Sequence, residues 1–385
     1  MSNISYFYLP NTSLFGSGCL DDIGHQANLL HLNRLLLVTD SFLSKTDTAK
    51  RIADIILNSG GFITTYEGVK PNPTLESVYE AYNIYRQFKC NGIISLGGGS
   101  SHDCAKAVSI LATNPAPLEQ YVGINKFANR SVPVIAVNTT AGTASEITNC
   151  FIITDTETNT KLIFEGVNAL TATAINDPEI MVTLPASLTA STGMDALTHA
   201  VECYVSNLSF RLTDDLARLA VRYIFQNLAL AVKEPENITA RENMIYGEYL
   251  AGMAFGNGGV GLVHAIAHAL GGIYDLPHGL CNAVMLPYII TFNMNICAKK
   301  YAELYYTIHP EKSSALSDME AAHAFCLEVE SLSKEIGTCK KLHELKVSKN
   351  DFERIAEKAL SDSCCDTNPI QPSKADIINL LKYAY

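Results

Sequence analysis

The 385-residue sequence predicts an α/β domain followed by an all-helical one, and three observations carry that prediction. Up to about residue 184, short β-rich apolar runs alternate with amphipathic helical segments, the pattern of a parallel sheet with crossover helices. From Pro185 onward strand patterns stop, and the chain reads as helices broken by Gly, Pro and Asn. A chain of this length also favours two domains over one. The boundary is expected at Leu184–Pro185, giving domains 1–184 and 185–385.

The elements follow in order. RLLLVTD (34–40), FITTY (62–66), GIISL (92–96) and VPVIAV (132–137) are buried-strand runs. TAKRIADIILNSG and SVYEAYNIYRQF between them have helical periodicity, and FIITDTETNTKLIF (151–164) reads as a β-hairpin. Ligands of open α/β sheets bind outside the carboxyl ends of the strands, and three features fall there. Asp40 ends the first run, where it either caps a turn or accepts from ribose hydroxyls. Gly97, Gly98, Gly99 and Ser100 lie between a strand and a helix, where glycines let backbone N–H groups approach a phosphate. Asp103 forms an S-x-x-D capping box with Ser100, and Lys106, one turn on, pairs with it or is a surface charge. The loop NTTAGTASE (138–146) offers hydroxyls and small residues at close range.

The helical half holds two segments with ligand-type residues. In STGMDALTHAVECYV, with Thr189, Ser191 or Thr192 available as N-cap, Asp195 and His199 stand four apart on one apolar helix face. In FGNGGVGLVHAIAHALGGIYDLPHGLCN (255–282), His264 and His268 repeat that spacing, Gly271–Gly272 is expected to stop the helix, and His278 is expected on a turn. Burying these groups without a shared partner is costly. One divalent metal held by an aspartate and histidines is the economical account, although spacing does not say which of His264 and His268 is a ligand.

Composition narrows the partners. Net charge is 28 − 39 = −11 with no basic run, which leaves no electrostatic footprint for nucleic acid or an anionic membrane. The eleven cysteines are odd in number and scattered without C-x-x-C, as free thiols in a reducing compartment are. MSNISYFYLP lacks the basic and apolar regions of a signal peptide, and no uninterrupted apolar stretch reaches spanning length. A cytoplasmic protein is expected.

GMDALTHAVE, GLVHAIAHALGG and the following PHG, together with GGGSSHDCAK and NTTAGTASE earlier, make the chain resemble the iron-dependent (group III) alcohol dehydrogenases over nearly its whole length. Within them it is most similar to 1,3-propanediol dehydrogenases, NAD-dependent methanol dehydrogenases and lactaldehyde reductases. The resemblance implies a Rossmann-like nucleotide-binding domain with a hairpin and a helical metal-binding domain, a dehydroquinate synthase-like architecture. It implies that Asp195, His199, His264 and His278 bind the metal, while His268 lies beside the nicotinamide as a catalytic residue. Asp40, Asn72, Gly98, Gly99, Ser100, Asp103, Thr139, Thr140, Thr143, Thr148 and Lys161 are assigned to NAD in the same way. The implied reaction is reversible hydride transfer between NAD and a small primary alcohol or diol, with the alcohol or aldehyde as partner and a homo-oligomer as assembly. Three imidazoles and a carboxylate suit Fe(II) or Zn(II), and iron comes from the resemblance alone. Gly256–Asn257 and Ile370 depart from the usual pattern and bear on substrate choice or assembly. The alternatives are a zinc enzyme of the glycerol dehydrogenase or dehydroquinate synthase type and, from another class, a metallohydrolase.

Overall fold

The computed structural model describes residues 4–158, 160–312 and 316–385. Residues 1–3, part of the MSNISYFYLP stretch, and Asn159, within the segment expected to form the hairpin, lie outside the described residues. The chain divides into two compact units, Tyr8–Thr183 and Leu184–Tyr385, the latter also taking in 4–7.

The first unit contains strands β1 (Thr12–Phe15), β2 (Arg34–Val38), β3 (Phe62–Tyr66), β4 (Gly92–Gly97), β5 (Gly123–Ile124), β6 (Val134–Asn138), β7 (Cys150–Asp155), β8 (Thr160–Glu165) and β9 (Thr173–Asn176). Helices α1 (Ile23–Leu29), α2 (Asp47–Asn58), α3 (Leu75–Gln87) and α4 (Gly99–Leu111) connect the earlier strands. Six strands form a parallel sheet in the order β1-β9-β6-β4-β2-β3. A strand buried on both faces needs apolar residues at every position, and β2 shows why its run is continuous. Leu36 and Val38 enter one core with Val78, Ile93 and Val108. Leu35 and Leu37 enter the opposite one with Ile23, Ile52 and Ile135. The chain goes from β2 out to β3 and returns across β2 to β4, so the strand order reverses between β2 and β4. Asp40 follows the first of these strands and Gly98–Gly99 the second, which puts both at the switch point where such sheets take ligands.

The predicted hairpin is β7–β8, paired antiparallel with Phe151 opposite Phe164 and the two rings stacked at 4.8 Å. Strand β5 extends it by parallel pairing to β8, an element too short to leave a periodic signal.

Among its described residues the second unit is helical: α5 (Ala186–Val205), α6 (Arg211–Lys233), α7 (Ile238–Gly258), α8 (Leu262–Tyr274), α9 (His278–Ile308), α10 (Asp318–Glu335), α11 (Phe352–Leu360), α12 (Ser363–Asp366) and α13 (Lys374–Ala384). Helix α9 is long and apolar enough to span a membrane by composition, but 67% of its most apolar window is buried inside the protein.

Three local expectations are corrected. Helix α5 starts directly after Pro185, whose fixed φ suits a helix start, so Thr189, Ser191 and Thr192 are internal rather than N-caps. Ser191 and Thr192 instead bond back to the Leu188 carbonyl. Asp195 therefore lies well past the first turn and does not serve the helix dipole. Helix α8 runs through Gly271–Gly272 and ends at Asp275, which adopts the left-handed conformation (φ 54). Two internal glycines weaken a helix by about 1 kcal/mol each relative to alanine, and packing of α8 against α9 and α11 overrides that. His278 is the first residue of α9, after Pro277, rather than part of a turn.

Candidate metal centre and dinucleotide cradle

Helix α5 presents Asp195, His199 and Glu202 along one stripe, at spacings that return to the same face. All three are buried, in a segment otherwise made of Ala, Leu, Val and Thr. Two further helices deliver imidazoles to this stripe: α8 contributes His264 and α9 contributes His278. Ligand-type atoms of Asp195, His199 and His264 all lie within 4.8 Å of one another. Oδ1 of Asp195 is 3.8 Å from Nε2 of His264 and 3.5 Å from Nε2 of His278. A tetrahedron with bonds of about 2.1 Å has edges of roughly 3.4 Å, so these separations match donors that share a small divalent cation. Asp195, His199 and His264 fit such an ion, and His278 adjoins the cluster through Asp195.

Neighbouring side chains set the ligands. Glu202 Oε2 accepts from His264 Nδ1 at 2.6 Å, which leaves Nε2 facing Asp195. Asn282, one turn into α9, donates from Nδ2 to Asp195 Oδ1 at 2.6 Å and stands 3.3 and 3.2 Å from Nε2 of His264 and His278. His199 is sandwiched between Phe255 and His264, with ring centroids 4.0 and 4.4 Å away. Burial pushes the Asp195 carboxyl up to about 6, against the lowering effects of His264 and the Asn282 hydrogen bond. For His264, burial opposes the cation, but the hydrogen bond and charge of Glu202, helped by Asp195, raise its pKa. Two buried carboxylates in an apolar setting call for positive charge beside them.

His268 stands apart from this cluster. Its Nδ1 bonds Asp362 Oδ2 at 2.8 Å and its ring stacks on His278 at 5.2 Å. Asp362 is held below the usual carboxylate range: burial works the other way but is outweighed by His268 and by the Cys364 backbone N–H. The Cys364 thiol completes a second cluster of ligand-type atoms with His268 and Asp362.

In the first unit, α4 begins at Gly99 with Gly98 as N-cap and no side-chain cap, so its first N–H groups remain available to an anion. A Cβ on Gly98 would stand 2.6 Å from Thr140 Oγ1, and one on Gly99 2.9 Å from Thr143 Cγ2, so only glycine permits this close packing. Among the described residues the buried Thr140 hydroxyl has no hydrogen-bond partner. An uncapped helix start, two glycines and an unused hydroxyl fit a pyrophosphate. Thr139 donates from its N–H to the Gly97 carbonyl at 2.9 Å, which ties the 138–146 loop to the end of β4.

The expected Ser100–Asp103 capping box does not form, because Asp103 instead accepts from Ser145 Oγ at 2.6 Å and from the Ile152 N–H at 3.0 Å. Lys106 is fully buried rather than a surface charge. Its Nζ donates to the carbonyls of Thr148 and Cys150, both at 2.8 Å, and to the hydroxyls of Ser145 and Thr148. Asp40 does cap its turn, accepting at Oδ1 from the N–H groups of Phe42 and Leu43. Lys161 on β8 bonds the Asn72 side-chain carbonyl. The six residues Glu202, Phe255, Asn282, Asp362, Cys364 and Lys106 were not assigned a role from the sequence. For two of them a signal exists: Glu202 is three residues after His199, and Asn282 four after His278.

Residues 10–178 match the family described as iron-containing alcohol dehydrogenase, and residues 189–385 match the C-terminal region of the Fe-containing alcohol dehydrogenase family. The chain belongs to the iron-containing alcohol dehydrogenases. It is 40% identical to a 1,3-propanediol dehydrogenase of Klebsiella pneumoniae, over 98% of each chain. It is 37% identical to an NAD-dependent methanol dehydrogenase of Bacillus methanolicus, over 98% of this chain and 99% of that one. A solved structure of a 1,3-propanediol oxidoreductase superposes with a TM-score of 0.97 over 100% of both chains at 39% identity. As an iron-containing alcohol dehydrogenase, the chain is an oxidoreductase acting on CH–OH groups. These likenesses favour the alcohol dehydrogenase reading over the synthase and hydrolase alternatives.

Proposed function

We propose that this iron-containing alcohol dehydrogenase transfers hydride reversibly between NAD and a small primary alcohol or diol of the 1,3-propanediol type. Fe(II) would be held by Asp195, His199, His264 and His278. The observation that carries the reading is the buried Asp195 carboxylate with the His199 and His264 imidazoles, their ligand atoms within 4.8 Å of one another, and His278 Nε2 3.5 Å from Asp195 Oδ1. The names of the relatives, which act on 1,3-propanediol and methanol, support the substrate class. The same donor set also accepts Zn(II).

When bound, the cation supplies a Lewis acid for an alcohol hydroxyl and the nicotinamide supplies the hydride acceptor. The chain's own residues do the rest. Gly98 and Gly99 leave room for the pyrophosphate against the start of α4, with the Thr140 hydroxyl as a further donor. Asp40 disfavours a 2′-phosphate by charge, hence NAD over NADP, and Lys161 with Asn72 serves the nucleoside side. Asp362 accepts from His268 Nδ1, so Nε2 is the atom that takes up or returns the hydroxyl proton. The reading extends to a cytoplasmic homo-oligomer. Eleven free cysteines support the reducing compartment, and light scattering tests the assembly.

Purification without oxygen, metal analysis and a panel of 1,3-propanediol, 1,2-propanediol, methanol and ethanol test the proposal together. NADH formation should vanish with a chelator and return with Fe(II), and the same assay with Zn(II) reports which ion the site uses. Metal-loaded protein that turns over none of these alcohols refutes the substrate class. Undiminished metal content in His264→Ala refutes the ligand set.

A further inference from the structure

Glu202 belongs to no expected ligand set, yet it is among the most heavily engaged side chains in the helical unit. It is 4% exposed, and four donors converge on its two oxygens. Oε1 accepts from the Val263 N–H at 2.6 Å. Oε2 accepts from the N–H groups of Gly261 and His264, at 3.0 and 3.4 Å, and from His264 Nδ1 at 2.6 Å. Helix α8 starts at Leu262 and has no cap from its own N-cap residue, Gly261. A carboxylate from α5 thus does the work of an N-cap for α8, and the same carboxylate orients the imidazole that α8 carries.

We infer that Glu202 is a positioning residue for the metal, acting through His264. This rests on the ligand set proposed above. Three physical effects coincide in it. An acceptor at Nδ1 forces the proton onto that nitrogen and leaves Nε2 as the donor to a cation. A negative charge there makes the imidazole a stronger donor. The hydrogen bonds to the start of α8 fix the height and rotation of that helix, so ring direction and helix position are set by one group.

The test is metal affinity, read by competition with a chromogenic chelator and by the visible spectrum of the Co(II)-substituted protein. Glu202→Gln keeps size but loses charge and presents an amide N–H to donors. It should weaken metal binding by roughly 10–100-fold, the usual effect of removing such a partner, and alter the Co(II) bands. Asn368→Ala is the structural control: Asn368 Oδ1 accepts from the Leu262 N–H at 3.3 Å and from Asn293 Nδ2 at 3.0 Å. It should lower thermal stability while leaving metal affinity within about 3-fold of wild type. In a His264→Ala background, Glu202→Gln should produce no further loss. Equal losses in Glu202→Gln and Asn368→Ala, or undiminished loss in the His264→Ala background, overturn the inference, because Glu202 would then act only on folding. If Glu202→Gln does not fold, the Asn368→Ala protein and the Co(II) spectrum of Glu202→Asp, which keeps the charge but retracts it, decide the matter. An unshifted Glu202→Asp spectrum overturns the inference. Wild-type protein that binds no metal through His264 would instead remove the ligand set itself.

Discussion

Gly279, the second residue of α9, is the most sensitive point in the candidate metal centre that is not itself a ligand. A Cβ built there lies 2.2 Å from the Ser191 carbonyl oxygen and 2.8 Å from the Ser191 carbonyl carbon, with Asp195 Cβ at 3.2 Å. The obstructing atoms are backbone of α5, so no rotamer change relieves them. Ordinary contact begins near 3.4 Å, so Gly279→Ala must move the start of α9 away from α5 by about 1 Å. Asp195 and the preceding Ser191 lie on α5, while His278 adjoins the substitution, so the same displacement lengthens the 3.5 Å Asp195–His278 separation. Coordination tolerates about 0.2 Å, and a 1 Å error should therefore cost at least 100-fold in metal affinity. Overpacking should also cost about 1–3 kcal/mol of stability. The assays are metal stoichiometry after dialysis and thermal unfolding of metal-free protein. Gly279→Ala that keeps its metal with wild-type affinity would show that the close contact of α9 with α5 does not set the His278 position.

Further expectations concern the α/β unit. Burial, then the charge of Lys106, pulls the His102 pKa down to about 3 from an ordinary 6.5, so the folded unit takes this imidazole neutral. The unfolded chain binds the proton first, so this contribution is complete above pH 6.5 and is lost as pH falls toward 3. At pH 4.5 the loss is on the order of 3 kcal/mol, and His102→Gln should flatten that slope in urea titrations at pH 7 and 4.5. Lys106→Met strands two carbonyls and leaves Asp103 without its neighbouring cation, so it should destabilise by about 3–5 kcal/mol in chemical denaturation. Gly98→Ala forces Thr140 aside and should weaken NADH binding at least tenfold in fluorescence titration, with metal content unchanged.

The parallel sheet was legible because β2, β4 and β6 are buried on both faces and so carry uninterrupted apolar runs, whereas β5, two residues long, has no period to read. The shared face of Asp195 and His199 was legible from helical spacing, but spacing left His264 and His268 undecided, and the choice of His264 came from the family resemblance. Helix ends were not. Local rules placed caps at Thr189 to Thr192 and a stop at Gly271, but tertiary packing began α5 at Pro185 and carried α8 to Tyr274. Asp103 likewise left its local capping partner for Ser145 and Ile152, residues 42 and 49 positions away. Spacing puts Glu202 on the face of Asp195 and His199, but its partners lie about sixty residues downstream, so its role could not be read locally.

Of the proposed ligands, α5 carries two and α8 and α9 one each. No single helix offers all four proposed donors, so the complete set exists only once the three helices have met. Loading is thereby confined to molecules whose tertiary assembly is finished, and a half-built chain has little means to trap the wrong cation or to be held in a misfolded state by one. In such a protein metal occupancy counts correctly assembled copies.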